Sequence, residues 1–89
     1  MTTTGEDPYQ KLRERLQKQE WPGVFMFKFI VRPEKVDEVK EIFGPAEIST
    51  RASRNGNYVS VTGKEMMMDS ETVIERYKAA AEIEGLIAL

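Results

Sequence analysis

The segment from Ala46 to Lys64 admits essentially one strand pairing. Residues 46–53 alternate Ala46, Ile48, Thr50 and Ala52 against Glu47, Ser49, Arg51 and Ser53, which is the period of a half-buried strand. Asn55-Gly56 follows, the favoured pair for a two-residue type I′ hairpin loop, where both positions need positive φ. Counting outward from that loop sets Arg54 opposite Asn57, Ser53 opposite Tyr58, Ala52 opposite Val59, and so on to Glu47 opposite Lys64. Cross-strand partners share a face. Ala52 with Val59, Thr50 with Val61 and Ile48 with Gly63 then form an inner set. Tyr58, Arg51 with Ser60, Ser49 with Thr62, and Glu47 with Lys64 form an outer one. A slip of one residue would mix the two sets.

The rest of the chain fits around this hairpin. Residues 1–6 have no periodicity and read as a tail without regular structure. Asp7-Pro8 opens a helix, with Asp7 as cap, Pro8 at the first position and Gln10 three residues after the cap. Tyr9, Leu12 and Leu16 form one weak apolar stripe, and Pro22-Gly23 makes a turn. Val24 to Val31 is the strongest strand, with Phe25, Phe27, Phe29 and Val31 on a core face and Val24, Met26, Lys28 and Ile30 on a wetter one. Pro33 to Phe43 reads as a poorly capped helix with Val36, Val39, Ile42 and Phe43 inward, closed by Gly44-Pro45. A last helix is capped by Asp69 or Ser70. It buries Val73, Ile74, Tyr77, Ala80 and Ala81, and Gly85 ends it before a short strand at Leu86–Leu89.

The order β-α-β-β-α-β, after a preliminary helix, predicts an α+β fold. It is a ferredoxin-like sandwich with a four-stranded antiparallel sheet and two helices on one face. Right-handed crossovers put the first and third strands in the centre. The expected division is a tail and amphipathic helix over 1–20 and the ferredoxin-like domain over 21–89.

Composition narrows the function. The 89 residues contain no Cys and no His, which removes disulfides, thiol nucleophiles, Cys-based metal sites and the commonest general base. The Glu34/Glu38, Asp37/Glu41 and Glu71/Glu75 pairs lie on predicted wet helix faces, where a carboxylate has little to shift its pKa. No Gly-rich phosphate loop or metal-spaced cluster occurs, so neither cofactor nor metal is expected, and no enzyme. No apolar run is long enough for a membrane span and the start lacks a signal peptide's pattern, which reads as cytoplasmic. Residues 21–64 carry seven basic and five acidic groups, and 65–89 carry two and six, too mild an asymmetry for a dedicated nucleic-acid binder.

Function is therefore expected on the sheet face away from the helices. Its candidate surface is Met26, Lys28, Arg51, Arg54, Tyr58 and Ser60. A Met and Ile patch edged with charge could pair two copies as a homodimer or receive a protein partner, unless the Tyr9–Leu12–Leu16 stripe covers it. The turn residues Ser53, Arg54, Asn55 and Asn57 could meet a small metabolite, although such residues are commonly turn formers. RNA binding is the alternative, with Tyr58 as the single aromatic of a platform that normally stacks two or three bases. Met66-Met67-Met68 reads as strand-exit filler with one or two members in the core.

The run Ser53-Arg54-Asn55-Gly56-Asn57-Tyr58-Val59-Ser60-Val61, Trp21-Pro22-Gly23 before Phe27-Lys28-Phe29-Ile30, and the ending Ile83–Leu89 resemble the YbeD-like family of small bacterial proteins. The resemblance covers Trp21 to Leu89. It implies a ferredoxin-like fold similar to the ACT-type regulatory domains of amino-acid enzymes, and no established activity.

Overall fold

The computed structural model describes residues 7–89, so the tail expected at 1–6 lies outside the described residues. Eight segments follow one another. These are α1 (Gln10–Leu16), β1 (Gly23–Val31), a 3-10 turn (Pro33–Lys35) running into α2 (Val36–Ile42), β2 (Glu47–Ala52), β3 (Val59–Met67), α3 (Ser70–Ala81) and β4 (Ile87–Ala88). The sheet order is β2-β3-β1-β4, all neighbours antiparallel, with β1 and β3 central as the crossover rule requires.

The hairpin register is the one obtained by counting, from Glu47 opposite Lys64 to Ala52 opposite Val59. The turn that joins the strands is different. Gly56 has φ of 76°, but Asn55 keeps a negative φ, so the loop is not type I′. The Gly56 amide bonds the Ser53 carbonyl at 3.0 Å, closing a type I-like turn, and the Ser53 amide bonds the Tyr58 carbonyl at 2.8 Å. The Asn55 side chain explains the change. Its Oδ1 accepts from the Asn57 amide at 3.2 Å and from the Ser53 hydroxyl at 3.0 Å. Both loops place four residues between Ser53 and Tyr58, so the register is the same.

The core lies between the sheet and the helices. Phe27 and Phe29 on β1 are fully buried with Val61 and Met67 of β3, Val39 of α2, and Val73 and Ile74 of α3. Phe27 and Phe43 have ring centroids 5.6 Å apart, and Phe29 meets Tyr77 edge-on at 5.8 Å. Each buried Phe contributes about 1.5–3 kcal/mol of apolar burial. Gly63 is required here, because a Cβ at that position would stand 2.6 Å from the Phe43 ring.

Local departures from the expected pattern have physical causes. Thr50 and Ala52 are exposed on the edge strand β2, while their partners on central β3, Val61 and Val59, are buried and half-buried. Ala81 is exposed at the last turn of α3. The α2 segment has no side-chain cap, and it starts as a 3-10 turn after Arg32. Asp69 caps α3, accepting from the Thr72 amide at 2.8 Å and its hydroxyl at 2.7 Å. Asp7 accepts from the Tyr9 amide at 2.9 Å, one turn before α1 becomes regular. Gln10 bonds Glu14 at 3.1 Å instead of completing a capping box.

The position of α1 decides the rest. It packs against α3 in the helical layer, with Leu16 buried in the core and Tyr9 and Leu12 packed on it. Arg13 grips Glu71 through Nε at 2.6 Å and Nη2 at 3.2 Å, and also pairs with Asp7. The Trp21 indole donates to the Leu16 carbonyl at 2.9 Å. The first helix is therefore not the cover of the sheet's other face.

Candidate functional site: the open face of the sheet

Strand pairing builds this face in rows. Met66 lies opposite Val24, Glu47–Lys64–Met26 form the next row, Ser49–Thr62–Lys28 the third, and Arg51–Ser60–Ile30–Ile87 the fourth. Tyr58 stands beyond the fourth row at the hairpin end. Val24 is 66 % exposed, Met26 57 %, Met66 57 % and Tyr58 42 %. Ile87 and Leu89 add exposed apolar surface at the β4 edge. Exposed apolar residues thus stand on β1, β3 and β4, with the polar row Ser49–Thr62–Lys28 between Met26 and Ile87.

The charge on this face is one-sided. Lys28, Lys64 and Arg51 face Glu47 alone, and none of these cations forms an ion pair within 4.0 Å among the described residues. Arg54, in the turn, also has no acidic partner among the described residues. The helical side shows the opposite habit. Glu65 alternates inward from Lys64 and Met66 and is 5 % exposed, and Arg76 holds it through Nη2 at 2.7 Å and Nε at 3.2 Å. The Glu65 hydrogen bond raises the Arg76 guanidinium above its usual range. Arg13 is raised likewise by its bonds to Glu71 and Asp7, and those two carboxyls are held below their ordinary values. Glu34 and Glu38 pair at the surface with Arg32 at 3.7 Å and Lys35 at 3.2 Å. Glu71 and Glu65 are thus not simply solvated acids: one is clamped at the surface and the other buried.

At the hairpin end the open face forms a shallow, open concavity of about 700 Å³, lined by exposed and half-buried residues. Ile30, Ser60 and Arg51, the three members of the fourth row that lie on the central and β2 strands, line it together with Tyr58. Ala52, Ser53 and Arg54 close it on the turn side. The Arg32 guanidinium lies 5.8 Å from the Tyr58 ring centroid, a cation–π contact that steadies the ring at the rim. Ser53 is committed to the turn, its hydroxyl donating to Asn55 and accepting from the Tyr58 amide at 3.1 Å. Asn55 and Asn57 are turn formers and do not line the concavity.

Of the six residues singled out from sequence, four come together here: Arg51, Arg54, Tyr58 and Ser60. Lys28 and Met26 share the face but lie one and two rows away along β1. Ile30 is the lining residue that the hairpin pattern alone does not deliver, since it depends on the β1–β3 register, which no short turn sets. Of the Met66–Met68 run, Met67 is in the core while Met66 and Met68 are exposed. Among the described residues no three His, Cys, Asp or Glu side chains are grouped to hold a metal ion. No helix there is long and apolar enough to cross a membrane.

A small α+β domain with a bare, cation-rich sheet face is the class that fold and site define. A family model described as "Protein of unknown function (DUF493)" matches residues 17–88, and the chain belongs to that family. No curated protein and no solved structure is matched.

Proposed function

We infer that the chain is a non-enzymatic binding or regulatory module that works through the open sheet face, by binding a protein or a small metabolite, in the manner of ACT-type regulatory domains. One observation carries this: the three helices lie on the other side of the sheet, leaving Met26, Lys28, Arg51 and Tyr58 uncovered on one surface. The YbeD-like relationship and a cytoplasmic setting are part of the same proposal. The test is a thermal-shift screen of the full chain against organic acids, amino acids and related metabolites, beside light scattering. Expected is a ligand that raises the melting temperature, or a concentration-dependent association, abolished in Met26→Glu or Arg51→Glu. No ligand effect together with a strictly monomeric chain overturns the proposal.

RNA binding is the second reading, favoured by Tyr58 standing exposed among Lys28, Arg51 and Lys64. Its weakness is the platform. Phe25, Phe27 and Phe29 all point into the core, so among the described residues Tyr58 is the single aromatic on that face. Salt-dependent binding of single-stranded RNA, lost in Tyr58→Ala, would support it, and absence of binding at low salt would end it.

A further inference from the structure

The concavity at the hairpin end has a composition that selects among ligands. Its two charged groups are both guanidiniums, Arg51 and Arg54, and neither is neutralised by an acidic side chain among the described residues. A guanidinium is a planar fork whose N–H donors match the two oxygens of a carboxylate. Beside them stand Ile30 and the Tyr58 ring, which give an apolar wall with no charge to satisfy. A volume of about 700 Å³ is in the range that small molecules occupy. No Asp or Glu lines the site, so an ammonium group on the ligand would find no anionic partner.

We propose that this concavity binds a small organic acid with one carboxylate on Arg51 and Arg54, a compact apolar body against Ile30 and Tyr58, and no amino group. Ser60, between Arg51 and Ile30 in the same row, donates its hydroxyl to the Arg51 carbonyl at 3.4 Å and keeps its oxygen to accept from a polar substituent next to the carboxylate. Arg32, 5.8 Å from the Tyr58 ring centroid, does not line the concavity and pairs with Glu34, which leaves the guanidiniums of Arg51 and Arg54 as the anion donors. The assignment rests on the open face being the binding face, and it names the ligand class for that face.

The experiment is an amide NMR titration of the full chain with four probes: 3-phenylpropionate, hexanoate, phenylalanine and inorganic phosphate. Both acids should move the amides of residues 51–54 and 58–60 saturably. Phenylalanine, which adds only an ammonium to the first probe, should bind about tenfold more weakly or worse. Arg51→Gln with Arg54→Gln should weaken the acids about tenfold or more, since two charge-assisted bonds are lost. The single Arg54→Gln change, in an exposed turn, gives the same direction with the fold untouched, as judged by unmoved amides elsewhere. Phosphate binding as well as the acids, or phenylalanine binding equally, overturns the assignment. So does a flat titration. If the titration is flat while the thermal-shift and scattering screen still responds to Met26→Glu, only the ligand class falls; if both are blank, the binding face falls as well.

Discussion

The two faces of one sheet treat charge in opposite ways. On the helical face, Glu65 is the one charged side chain that β3 turns inward, and a two-bond contact with Arg76 neutralises it. On the open face, Lys28, Lys64 and Arg51 share a single Glu47. Both patterns come from the same alternation along β3, where Lys64, Glu65 and Met66 are consecutive. The difference teaches where a requirement lies. A buried charge without a partner costs several kcal/mol, so the inner face must satisfy it within the fold. An exposed cation costs almost nothing, so an unmatched set of them can persist and be available to something else.

The largest expected effect is in the inner face. Phe27→Ala should cost about 3–5 kcal/mol, enough to leave a domain this small mostly unfolded, as urea denaturation would read. Next comes Arg76→Met, which strands Glu65 and should cost about 2–3 kcal/mol. Replacing both, with Glu65→Met added, should recover most of that loss, because an apolar pair needs no partner. If the single and double variants are equally stable, the inner charge is not held by this pair. At the turn, Gly56→Val should cost about 1–2 kcal/mol through its φ of 76° alone, since a Cβ there meets nothing within 4 Å. Gly56→Asn should recover much of it.

On the open face, Met26→Ser and Lys28→Ala should each change stability by no more than about 0.5 kcal/mol. A loss as large as that of Arg76→Met would mean the face is covered. The smallest effect is at low pH. The Asp7 carboxyl is lowered chiefly by Arg13, Asp69 by the Thr72 hydroxyl, and Glu71 by Arg13. Groups depressed in the folded chain stabilise it fully above their ordinary values, 3.8 for Asp and 4.5 for Glu. That stabilisation is lost as pH falls through the lower folded values. The urea midpoint should fall below about pH 4, and Arg13→Gln should flatten that limb.

Much of this was legible in the residues. Alternation in 46–64, with four residues between Ser53 and Tyr58, sufficed for the hairpin register, and the β-α-β-β-α-β order with right-handed crossovers for the strand order. The turn type was not legible, because Asn55 uses its side chain where the type I′ loop would use its backbone. The Glu65–Arg76 pair was hidden because its members sit eleven residues apart on different elements, and only the packing of α3 on β3 joins them. For the candidate site, Arg51, Tyr58 and Ser60 followed from counting along one hairpin. Ile30 needed the long-range β1–β3 pairing, and the placement of α1 needed Leu16 to be seen in the core. A weak amphipathic stripe fits either side of a sheet.

Methionine methyl NMR with a neutral soluble paramagnet tests the bare face most directly, because β1 and β3 carry methionines on both sides. Met26 and Met66 should broaden in dilute solution as strongly as exposed Met68, while buried Met67 is spared. Met26 and Met66 protected to the level of Met67 would contradict an uncovered sheet face.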